Sequence, residues 1–102
     1  MRVILVQPQT PPVVHEITGD LASLQACVAG YVEQIARDGH VAILANEEGR
    51  LRSMAWNRAV VLSGGRVVES VGPFLLVGSN PQQGVFEDLS DADIATWFPR
   101  LA

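Results

Sequence analysis

From Tyr31 onward the chain is a succession of short apolar runs separated by turn dipeptides, and this rhythm restricts it to an architecture rich in hairpins. Residues 31–37 lead into Asp38-Gly39, and residues 40–45 follow. Asp-Gly between two apolar runs favours a tight hairpin because both residues tolerate positive φ. Residues 59–63, Gly64-Gly65 and residues 66–70 repeat the arrangement. Residues 74–77, bracketed by Gly72-Pro73 and Gly78, read as a short buried strand.

The remaining segments supply two more strands and two helices. Residues 2–7 are mostly aliphatic with little alternation, the pattern of a strand covered on both faces. Pro8, Pro11 and Pro12 interrupt any ladder there, and residues 13–17 alternate as an edge-like strand returning in a hairpin. Asp20 is placed to cap a helix whose stripe is Leu21, Leu24, Gln25 and Val28, with Gly30 suited to a left-handed position past its end. Residues 79–84 read as a loop. A last helix begins at Ser90, with Asp93 completing a near capping box and Leu89 facing Ile94 across the first turn. Ile94, Trp97, Phe98 and Leu101 recur at helical spacing, and Pro99 is expected to end or bend that helix. Trp97 and Phe98 are adjacent, so one ring is expected at the flank, where it can serve a homodimer contact. The reading is α+β: a mostly antiparallel sheet of about five to six strands with two helices packed on it, in one domain over residues 1–102.

Composition narrows the function classes. A chain of 102 residues with 48% hydrophobic and 18% charged residues can build a core without metal or disulfide staples. Cys27 is the only cysteine, which excludes an internal disulfide and a cysteine-rich zinc cage. The apolar run at the N-terminus is too short for a secretory segment, and no window approaches a membrane span, so the expected compartment is the cytoplasm and no membrane partner is expected. A net charge of −4 argues against direct gripping of nucleic-acid phosphates.

Residues 46–58 form the densest polar segment: Asn46, Glu47, Glu48, Arg50, Arg52, Asn57 and Arg58, with Trp56 among them. Read as a hairpin, this segment offers carboxylates, guanidinium groups and an indole to a partner's charged loop. The competing reading is a solvated turn whose ion pairs contribute little. Asn57 has a third use, since its amide can bridge backbone groups inside the fold. No catalytic residues emerge. Glu47 and Glu48 are adjacent and would point apart on a strand. His15, His40 and Cys27 lack metal-ligand spacing, no serine sits in a nucleophile elbow, and no glycine-rich turn runs into a helix with a lysine. Neither metal nor cofactor is expected. Glu87, Asp88, Asp91 and Asp93 surround the start of the last helix, where acid complements the helix dipole.

The stretch Gly19-Asp20-Leu21 to Leu24-Gln25 is followed by Val28-Ala29-Gly30-Tyr31-Val32-Glu33 and Asn46-Glu47-Glu48-Gly49-Arg50-Leu51. Then come Asn57-Arg58-Ala59, Val71-Gly72-Pro73-Phe74 to Val77-Gly78, and the helix start at Leu89-Ser90. This order resembles the family described as domain of unknown function 3846, over nearly the whole chain. Ala29 stands where that family usually has a second glycine. The resemblance implies a short stand-alone protein of bacteria, phages or mobile elements with an accessory role, and it brings no catalytic residues.

Three expectations follow. The first is a non-enzymatic accessory protein that binds another protein through residues 46–58. The second is a small-ligand or enzymatic domain with a polar cleft around Asn46, Glu47, Asn57 and Arg58. The third is an acidic mimic of nucleic acid, built on the carboxylates around residue 90.

Overall fold

The computed structural model describes residues 1–80 and 82–102. The N-terminal aliphatic run forms β1 (Arg2–Val6), and the chain returns through the prolines as β2 (Val13–Glu16). Helix α1 (Leu21–Val28) leads to the hairpin of β3 (Val32–Asp38) and β4 (Val41–Asn46), which turns at Asp38-Gly39. A second hairpin, β5 (Trp56–Val61) and β6 (Val67–Val71), is followed by β7 (Phe74–Asn80), β8 (Val85–Glu87) and α2 (Asp91–Leu101). The fold is α+β, and every strand pair among the described residues is antiparallel.

Six strands make one sheet in the order β2-β1-β7-β4-β3, with β8 pairing the far end of β7. Strand β8 continues the line of β1: it pairs Gly78 to Asn80, where β1 has stopped, and Leu89 N–H donates to the Arg2 carbonyl at 2.9 Å. A side chain at position 78 would collide with this crossing, since a Cβ there would run into the carbonyl oxygens of Asp88 and Glu87. The extension of β7 through Ser79 and Asn80 corrects the expected loop over residues 79–84; Gln82 to Gly84 do turn, Pro81 lies outside the described residues, and β8 is a strand the sequence reading did not include.

Strands β4 and β7 are buried almost end to end, because the sheet is covered on both faces. Val41, Ile43, Ala45, Phe74, Leu76, Ile4 and Val6 point to one face, under Trp97 and Leu101 of α2 and Val60 of β5. Val3, Ala42, Leu44, Leu75 and Val77 point to the other, under Leu24 and Val28 of α1. Each fully buried large side chain contributes on the order of 1.5–3 kcal/mol, so the two clusters supply most of the drive to fold.

Both helices start as local chemistry dictates. The Asp20 carboxylate accepts from Ser23 N–H at 2.9 Å, and Ser90 Oγ accepts from Asp93 N–H at 3.0 Å. That bond from the Ser23 backbone, with further ones from the Thr18 and Ser23 side chains, holds the Asp20 carboxyl below its ordinary pKa. The helix ends differ from expectation. At the exit of α1 the left-handed residue is Ala29, at φ 62°, rather than Gly30. Pro99 does not end α2, which runs through it to Leu101. Burial of Leu101 rewards the extra turn, and Ala95, whose carbonyl loses its N–H partner to the proline, is exposed to solvent.

Candidate functional site

Residues 46–58 are not a hairpin. Both edges of β4 are occupied, by β3 and β7, so the chain leaving Asn46 has no free edge to pair with. It crosses instead through a compact loop, residues 47–55, to β5 in the separate two-stranded sheet. The loop is bonded internally: Arg52 N–H donates to the Glu48 carbonyl at 2.9 Å, and Met54 N–H to the Gly49 carbonyl at 3.0 Å. Met54 anchors its far side against Gly72, whose φ of 68° and missing side chain make the room.

Three of the eight sequence-derived candidates are committed to the fold. Asn46, only 6% exposed, donates from Nδ2 to the Val28 carbonyl at 3.0 Å and accepts at Oδ1 from Glu48 N–H at 2.7 Å. It thereby satisfies a carbonyl at the end of α1 and sets the start of the loop. A side chain at Gly30 would meet its Nδ2 at 2.7 Å, so the close approach requires glycine there. Asn57, 8% exposed, donates to the carbonyls of Val6 at 3.0 Å and Gly72 at 2.8 Å, tying β5 to the ends of β1 and β6. Arg58 donates to Asn57 Oδ1, to the Thr10 carbonyl at 2.7 Å and to the carbonyls of Gln7 and Leu101. One guanidinium therefore joins the proline segment, β5 and the end of α2.

The other five candidates reach solvent. Glu47, Arg50 and Arg52 are exposed on the loop, where Arg52 and the half-buried Glu48 form an ion pair at 3.7 Å. Trp56, at the start of β5, is 53% exposed. Asn46 and Glu47 line a cleft of about 130 Å³, Arg58 lines a different one near the C-terminus with Thr10 and Ala102, and Asn57 lines neither. The four residues grouped around one polar cleft by sequence are thus divided between separate places.

The first cleft lies between the two sheets. Glu33 and Ile35 of β3, Ala45 at the end of β4, Gly49, Arg50 and Leu51 of the loop, and Glu69, Ser70 and Val71 of β6 surround it. Val71 is the cross-strand partner of Trp56, which places the indole's strand beside the same opening. Leu51 stands out at the rim at 86% exposed, an apolar side chain on a polar loop. Glu33, Glu69 and Ser70 were not among the sequence candidates. They come from strands distant in the chain, and only Leu51, apolar within a charged run, carries a local signal.

No acid–base or metal constellation assembles among the described residues. His15 lies on β2 and His40 in the turn at the opposite edge of the sheet. Burial pushes the Cys27 thiol on α1 above its ordinary pKa, away from the thiolate. No three His, Cys, Asp or Glu side chains of the described residues are grouped to hold a metal ion, and no helix is long and apolar enough to cross a membrane.

Fold and cleft together define a small α+β protein: an antiparallel sheet clad on both faces, with a strand hairpin set across one face to leave a rimmed cleft. The family described as domain of unknown function, DUF3846, matches residues 1–102, and the chain belongs to it. No curated protein and no solved structure matches the chain.

Proposed function

We propose that this protein is a non-enzymatic accessory protein, of the phage or mobile-element kind, that binds another protein through the loop of residues 47–52 and the neighbouring Trp56. The observation that carries this reading is Leu51, held almost fully in solvent on a loop already fixed by its own hydrogen bonds. An apolar anchor on a preorganised loop loses little conformational freedom on docking, and burying it returns the full hydrophobic gain. Trp56 and Arg50 beside it are residue types enriched in interface hot spots. The size of the cleft beside the loop speaks against a small-molecule site at that place. At about 130 Å³ it is well below the ~300–1,000 Å³ of pockets that enclose drug-sized ligands.

The test is co-purification from the native host, followed by reconstitution with the purified partner. Leu51→Asp and Trp56→Ala are each expected to weaken the reconstituted complex at least tenfold while leaving the fold intact. A partner held equally well by both variants would show that another face does the binding.

A further inference from the structure

The cleft between the sheets carries a second feature. Ser70 is 3% exposed, and its Oγ is the one buried side-chain oxygen or nitrogen without a hydrogen-bond partner among the described residues. A hydroxyl taken from water and left unpaired is costly, so a group that hydrogen-bonds to it gains more than it would at an exposed hydroxyl. Ser70 lines the cleft, together with three acidic residues, Glu33, Glu47 and Glu69, and a single basic one, Arg50. None of these three carboxylates makes an ion pair among the described residues; the pairs that form use Glu16, Glu48, Asp38, Asp88 and Asp91. Three carboxylates against one guanidinium leave the lining two charges negative. The walls also include Ile35, Ala45 and Val71, which are apolar.

We infer that the cleft is a subsite for the cationic end of an aliphatic chain, namely a lysine side chain of the protein partner. Its ammonium would be shared between the carboxylates at the rim and the Ser70 hydroxyl, and its methylenes would lie on Ile35 and Val71. At about 130 Å³ the cleft has room for a short aminoalkyl tip. The ammonium suits the lining because its three donors match a hydroxyl oxygen and carboxylate oxygens, with no acceptor of its own to leave unpaired. This inference rests on the protein-binding reading and names the chemistry the partner presents.

Butylammonium serves as the probe, followed by the amide resonances of the intact chain. Saturable shifts are expected, concentrated at Ile35, Ser70 and Val71 and weakening as salt rises. Butanol and butyrate at equal concentrations should leave those amides in place. Ser70→Ala should weaken the probe about threefold to tenfold, the usual range for one hydrogen bond, while the thermal midpoint stays the same or rises because an unpaired buried hydroxyl has gone. Glu33→Gln together with Glu69→Gln should weaken it further and flatten the salt dependence. Absence of shifts at these amides, equal shifts from butanol, or undiminished binding by Ser70→Ala would each overturn the subsite. Trp56→Ala, outside the cleft lining, separates this outcome from failure of the protein-binding reading. Partner loss with butylammonium shifts retained supports both, whereas an unaffected partner with the shifts retained removes only the larger interface.

Discussion

Within a dozen residues the same kinds of side chain are put to opposite uses. Asn57 and Arg58 at the start of β5 turn inward and satisfy carbonyls of β1, of the β6–β7 turn, of the proline segment and of α2. Glu47, Arg50 and Arg52 on the preceding loop turn outward and satisfy nothing deeper than a neighbouring side chain. The difference teaches that an amide or guanidinium is drawn into the fold wherever irregular backbone leaves carbonyls without ladder partners. Such carbonyls collect where strands end and helices stop. The loop needs no such help, because its own backbone hydrogen bonds close it, so its side chains remain available for other contacts.

This contrast can be broken by substitution. The largest effect is expected at Asn57→Ala, which strips two buried carbonyls of their donor and should cost about 2–3 kcal/mol in urea unfolding, with the m-value unchanged. Asn46→Ala comes next, at about 1–2 kcal/mol, because one of its two bonds goes to a backbone N–H that a water molecule can replace. At Ala29 the sign reverses. Ala29→Gly relieves a left-handed backbone at an exposed position and should raise stability by about 0.5–1 kcal/mol, after the entropic cost of glycine is subtracted. Arg50→Ala on the open loop should stay within about 0.5 kcal/mol of the parent in the same titration. A loss at Arg50 as large as that at Asn57 would erase the distinction between the two ends of the segment.

The proton linkage of Asp20 sharpens the same point for a local cap. Its folded-state pKa lies below the ordinary 3.8, so the cap's contribution is intact above that value and fades as pH falls through the lower, folded one. Thermal scans between neutrality and strong acid should show Asp20→Asn lagging the parent at neutral pH and converging with it in acid.

The β3–β4 and β5–β6 hairpins, both helix starts and the two-faced burial of β1 were legible because each depends on residues within a turn or two of one another. Asp38-Gly39 turns wherever it is placed, and Ser90 with Asp93 caps a helix from its own side chain. The crossing after Asn46 was not legible, because whether β4 has a free edge depends on β7, thirty residues away. Nor was β8, whose place depends on the bare backbone of Gly78 admitting residues 87 and 88. The cleft belongs to the same group: Glu33, Arg50 and Ser70 meet only because the second hairpin lies across the first sheet.

The amino-acid order by itself determined the periodicities, the caps and the turns, and through them an antiparallel α+β chain, since these are short-range consequences of φ preference and side-chain reach. Which strand edges were still open, which carbonyls lacked donors and which polar groups faced a common space were decided only when the layers packed, because each is a property of distant segments brought together by burial of apolar surface.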